Sequence, residues 1–100
     1  MIRHLVMFKL REFSTTGEKK KAAETVRTEL LALKKKIPEI HEFEVGINFT
    51  VDDDAYDLVI NSSFSSIEDL KVYQDHPDHQ AFIKFNKNYS VKKVILDYKY

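Results

Sequence analysis

The stretch YQDHPDHQAF, Tyr73 to Phe82, places a tyrosine, two histidines and a proline within ten residues of a chain that holds four histidines in all. Groups of this kind move protons near neutral pH. An imidazole in the first turn of a helix is disfavoured in its charged form by the helix dipole, so His79 should stay neutral and able to accept a proton. Tyr73, at the end of the preceding helical piece, can donate its phenolic hydrogen to an enolate or alkoxide oxygen. His4 can hold a carbonyl or fix the tyrosine. Together the candidates Tyr73, His79 and His4 suit enolisation or carbon–carbon closure without a cofactor. The same residues also have a structural explanation. In it Pro77 and Asp78 begin a helix, His76 lies on the surface, His79 packs against the helix start, and His4 is a hydrogen-bonded core histidine.

A metal reading is weaker. His76 and His79 are flanked by Asp75 and Asp78, but Pro77 disfavours helical geometry at His76 and so removes the spacing that would aim both imidazoles at one ion. No metal is expected. Asp52, Asp53 and Asp54 read as a solvated hairpin tip, since they lack the graded ligand spacing of a calcium loop. The chain has no cysteine, which excludes disulfides, thiolate ligands and a cysteine nucleophile. With Gly17 and Gly46 as its only glycines, it has no phosphate-cradling loop.

These side chains must be carried by regular elements. Ile2, His4, Val6, Phe8 and Leu10 alternate with more polar residues, giving a first strand with His4 on its apolar face. Ala22, Ala23, Val26, Leu30, Leu33 and Ile37 recur at helical spacing up to Pro38. From Ile40 the residues His41, Phe43, Val45, Ile47 and Phe49 alternate as a second strand. Asp52 to Asp54 form a turn, and Tyr56 to Phe64 read as the hairpin partner. Ser66 caps a short helix with Ile67, Leu70 and Tyr73 on one side and Asp69 at the third helical position. Pro77 interrupts that helix and starts another bearing His79, Phe82, Ile83 and Phe85. Val91 to Tyr100 close the chain as a strand.

The order is β-α-β-β-α-β with a broken second helix. This is a ferredoxin-like α+β subunit, an antiparallel sheet with helices on one face, in a single domain over residues 1–100. Leu5, Met7, Val59 and Ile95 are expected on the uncovered face, and an exposed apolar patch of this kind predicts a homodimer whose sheets pack together. The hydrophobic fraction of 43% and the charged fraction of 32%, balanced at zero net charge, are those of an ordinary globular chain. The lysine runs Lys19 to Lys21 and Lys34 to Lys36 sit among acidic residues at helical spacing, so a solvated face is expected and no nucleic-acid partner. Neither a signal segment nor a membrane span is read, which predicts a cytoplasmic protein.

IRHLVMFKLRE at the start, YQDHPDHQAF after the third strand and VKKVILDYKY at the end resemble the stress-responsive dimeric α/β-barrel (Dabb) family across essentially the whole chain. The resemblance implies a ferredoxin-like subunit pairing into a homodimeric barrel, with a cavity in each subunit between sheet and helices, and a small-molecule ligand is one expectation for that cavity. Family members include plant stress proteins valued for assembly and stability, many bacterial proteins with no assigned activity, and a branch, distantly similar to this chain, that contains olivetolic acid cyclase, a cofactor-independent polyketide cyclase. In that branch a tyrosine and the last histidine of the motif form the acid-base pair for an aldol closure, and they match Tyr73 and His79 here. His4 matches a pocket histidine of the first strand. Two other pocket positions of that branch depart, falling at Leu58 and Leu30, which argues against a shared substrate. Two readings therefore stand. One is a cofactor-independent cyclase or isomerase acting on a small carbonyl compound, and the other is a non-catalytic stress-response or assembly protein.

Overall fold

The computed structural model describes residues 1–100. Its elements run β1 (Ile2–Leu10), α1 (Thr16–Lys36), β2 (Glu42–Ile47), β3 (Leu58–Phe64), α2 (Ile67–Asp75), α3 (Pro77–Asn86) and β4 (Ser90–Lys99). The four strands form one antiparallel sheet in the order β2-β3-β1-β4. This is the ferredoxin-like α+β architecture expected from the order of elements.

Local chemistry explains where the helices begin and end. Thr15 Oγ1 accepts the Glu18 N–H at the start of α1, satisfying a donor that has no partner inside the helix. The helix stops at Ile37, which precedes Pro38 and is extended at φ −120° and ψ 98°. Ser66 Oγ accepts the Asp69 N–H to open α2. His76 is extended at φ −61° and ψ 136°, and Pro77 takes the first turn of α3, so the proline breaks one helix and restarts the next. His76 also has a role that its sequence context hid. Its Nδ1 accepts the Asp78 N–H at 3.1 Å, which caps α3.

One face of the sheet is sealed by α1 and α2. Val26, Leu30 and Ile37 meet Phe64, Leu58 and Ile60 in a core where the first four are completely inaccessible to solvent. Truncating Leu30 to alanine there is expected to cost about 2–5 kcal/mol, since a cavity is left that the neighbours only partly fill. Urea denaturation would measure this as a fall in the midpoint at constant slope.

Three details differ from the sequence reading. β2 ends at Ile47, and Phe49, expected inside the strand, is 96% exposed because Asn48 turns the chain by bonding the Tyr56 carbonyl and the Thr50 N–H. For the same reason β3 begins at Leu58 instead of Tyr56. Ile95 does not share the bare face with Leu5 and Met7. The register pairs Val6 with Ile95, Leu5 with Leu96 and Met7 with Val94, so Ile95 stands on the helix side while Val94 and Leu96 stand on the bare side. A strand exposed on both faces offers no burial pattern to assign its parity, and only the pairing decides it.

This register also explains why there is a cleft. α1 packs chiefly over β2 and α3, and α2 over β3, whereas β4 lies at the far edge against β1. The helix-side face of β4 therefore stays open beside α2 and α3. No helix is long and apolar enough to cross a membrane.

Candidate functional site

A cleft of about 430 Å³ opens between the α2–α3 break and the β1–β4 edge of the sheet. His4, Val6 and Phe8 come from β1, Tyr73 and Gln74 from α2, His79 and Phe82 from α3, and Lys93 and Ile95 from β4. The three sequence candidates thus meet at one place. The Tyr73 and His79 rings lie 4.3 Å apart between centroids, and His4 lies 6.1 Å from Tyr73 at a steep angle. The break at His76 makes this possible. Because Tyr73 ends one helix and His79 starts the next, the change of direction turns both rings toward the same space.

Each of the three side chains has a defined hydrogen-bonding state. His79 Nδ1 lies 2.9 Å from the Gln74 carbonyl oxygen, which can only accept, so Nδ1 carries the hydrogen and Nε2 keeps a free lone pair. Burial lowers the His79 pKa below its ordinary value. The Gln74 bond opposes this, and the positive charges of His4, Lys93 and His76 add to the lowering. His79 is accordingly a neutral imidazole with an available base. Tyr73 is 1% exposed and packs on Phe64 and Phe43, and burial raises its pKa, keeping the phenol protonated as a donor.

His4 is anchored from the last strand, β4. Its Nδ1 bonds the Asp97 carboxylate, its cross-strand partner on β4. The carboxylate accepts, so the Nδ1–H donates and Nε2 again faces away from the anchor. Ser62 Oγ donates to the His4 carbonyl at 2.9 Å and fixes the backbone behind it. Asp97 was not predictable from local sequence. Its signal is the β1–β4 register, which no short stretch contains.

The Tyr73 hydroxyl, His4 Nε2 and His79 Nε2 make no hydrogen bond within the chain, yet no sealed side-chain nitrogen or oxygen lacks a partner. All three atoms are therefore reachable from the cleft. Three polar atoms without a partner in the chain, brought to one cleft from β1, α2 and α3, are able to receive a polar ligand. The aromatic residues leave that space open. Phe82 forms part of the wall, while Phe85 packs on Tyr89 and Leu58 is buried in the core away from the cleft. Leu30, the other departing position, is likewise a core residue.

A ferredoxin-like subunit with a side cleft holding a tyrosine and two histidines defines a small α+β class. The chain matches the stress responsive A/B barrel domain over residues 2–100, and it belongs to that family, Dabb. It is 35% identical over 102 residues to an uncharacterised protein of Streptomyces coelicolor, with both chains covered completely. Among solved structures, a dimeric ferredoxin-like protein of unknown function from Bacteroides fragilis superposes with a TM-score of 0.85 at 29% identity, covering 99% of this chain and 95% of that one. A hydroxynitrile lyase from Passiflora edulis shares the fold at a TM-score of 0.79 and 21% identity, over 97% of this chain and 90% of its own.

Proposed function

We propose that this Dabb protein is a homodimer, paired through the bare face of its sheet, that acts as a cofactor-independent cyclase or isomerase on a small carbonyl compound. His79 Nε2 removes a proton from the carbon next to the carbonyl. The Tyr73 hydroxyl donates a hydrogen bond to the oxygen as it becomes an enolate, and His4, held by Asp97, packs edge-on against the Tyr73 ring and fixes the tyrosine. The developing charge is stabilised by a fixed donor. The observation that carries the reading is the convergence of three unpaired polar atoms, one a neutral base and one a protonated acid, on an open cleft. The fold neighbour named as a hydroxynitrile lyase supports an enzymatic use of this scaffold.

Deuterium exchange at the carbon next to the carbonyl, followed by NMR over a panel of small ketones and keto acids, tests the chemistry without knowledge of the final product. Exchange above the buffer rate supports it, and a panel that exchanges only at the buffer rate rejects it. The pH dependence follows from the lowered His79 pKa. Activity is expected to be level at and above pH ~6.5, the ordinary histidine value, and to fall only on the acid side of it as Nε2 takes up a proton.

Stability should follow the same proton. With the folded pKa below the unfolded one, the unfolded chain binds more protons between the two, so stability is full above the unfolded value and is lost as pH falls through the folded value. Urea midpoints at pH 7.5 and 5 for the native chain and His79→Asn would read this, the variant losing part of the acid dependence. A non-catalytic stress or assembly role is favoured by one observation, the tight packing of Tyr73 on Phe64 and Phe43. The variants that separate the two roles are argued in the Discussion.

A further inference from the structure

We propose that Lys93 anchors a carboxylate on the molecule the cleft receives, so that the ligand is a small amphipathic carboxylic acid. The carbonyl half of this ligand rests on the acid-base reading above, and the carboxylate half does not. Lys93 pairs with Phe8 across the β1–β4 ladder, on the helix side and within the cleft wall. None of the chain's ion pairs or side-chain hydrogen bonds includes it. Lys87 stands at the same mouth, whereas Lys92 alternates with Lys93 to the other face, and Asp75 is the single carboxylate among the lining residues. With Asp97 engaged by His4, Lys93 and Lys87 against the one lining carboxylate leave that end of the cleft with excess positive charge in a chain whose net charge is zero.

The chemistry and the spacing both narrow the anion. Oxygen-rich anions such as phosphate are gripped by arginine forks, glycine loops or free helix N-termini. The cleft lining contains neither arginine nor glycine, and the Asp78 N–H at the start of α3 is already taken by His76. A lysine is a compact point charge without a planar fork, and a single carboxylate is enough to meet it. The Phe8–Lys93 pair lies four residues along the ladder from His4–Asp97, or roughly 13 Å at strand spacing. The flexible lysine stem can shorten that gap. Val6, Phe8, Phe82 and Ile95 lie between the two ends, which fits an apolar body carrying an acid at one end and a carbonyl at the other. The Lys93 charge also contributes to lowering the His79 pKa, after burial and the charge of His4, in keeping with both residues lining one cleft.

Phenylbutyrate and its neutral amide, titrated separately and followed by protein NMR, test the anchor without turnover. The acid is expected to bind about tenfold tighter than the amide, the worth of one charge-assisted contact at a partly solvated site. That preference should fall below about twofold in Lys93→Met and survive in Lys93→Arg. Lys93 is exposed, so its replacement leaves the core untouched. Equal binding of acid and amide, a preference that persists in Lys93→Met, or no saturable binding of the acid at millimolar concentration overturns the proposal. The acid preference should persist in His79→Asn. If it does while no carbonyl compound exchanges deuterium, the acid-base reading falls and the anchor stands, and the converse pattern removes the anchor alone.

Discussion

Replacing His79 by asparagine is expected to lower turnover about 10²- to 10⁴-fold, the usual range for loss of a positioned general base, while leaving the chain folded. Asparagine is chosen for a reason of geometry. Its side-chain amide can still donate to the Gln74 carbonyl as Nδ1 does, but it has nothing where Nε2 was. His79 is only half-buried, and its ring stacks on Tyr73 at the cleft, so the packing lost is modest. Tyr73→Phe is the companion variant. The hydroxyl it deletes has no partner within the chain, so no donor or acceptor is orphaned, and the ring packing on Phe64 and Phe43 is kept. A loss of about 10²- to 10³-fold is expected, as for removal of one donor to a developing oxyanion.

The two variants together separate catalysis from bracing. Under the catalytic reading both retain near-native melting and both lose rate, chiefly in kcat, because the lost interactions are made in the transition state. Under a bracing role His79→Asn melts early and Tyr73→Phe, with its ring intact, is unremarkable in every assay. Full turnover in either well-folded variant would sink the assigned role of that residue.

How far these roles could be read from the chain depends on what each residue needed. The first strand, the long helix and the helix break at His76 were legible because local physics decides them: alternation, 3.6-residue spacing and a proline's effect on its predecessor. Tyr73, His79 and His4 were found as types at suggestive positions, and the break even indicated that two of them would face one space. Asp97, Lys93 and the side on which Ile95 stands were not legible. Each depends on the pairing of β1 with β4, residues separated by almost the whole chain, and β4 is exposed on both faces, so its hydrophobic pattern fixes no parity. The ends of the β2–β3 hairpin failed for another reason. Phe49 and Tyr56 have strand-forming side chains, but Asn48 bonds the backbone across the turn and ends the pairing early. The role of His76 as a helix cap was hidden because histidine is seldom used there.

Leu96→Lys is expected to raise the dissociation constant of the proposed dimer about hundredfold or more, seen as monomer by sedimentation equilibrium at micromolar protein. Leu96 is 59% exposed in the single subunit and lies opposite Leu5 on the bare face, beside Met7 and Val94. A sheet-to-sheet contact of standard size buries about 800 Å² on each partner, and a lysine at its centre would have to be desolvated without a counter-charge. Met7→Lys, one cross-strand pair away, should behave alike, and persistence of the dimer in both would remove the bare face as the interface. The consequence reaches the cleft because β4 serves both faces of the sheet. Val94 and Leu96 stand on the bare face while Lys93, Ile95 and Asp97 stand on the helix side, and within one subunit β4 is an edge strand held by β1 alone. In the proposed dimer, pairing would clamp that edge. Amide exchange in β4 should therefore accelerate in the monomeric variant, and the His4 imidazole, which depends on Asp97 for its orientation, should lose its fixed Nδ1–H state. A monomer that keeps slow β4 exchange and full turnover would show instead that β1 alone holds the edge strand in place.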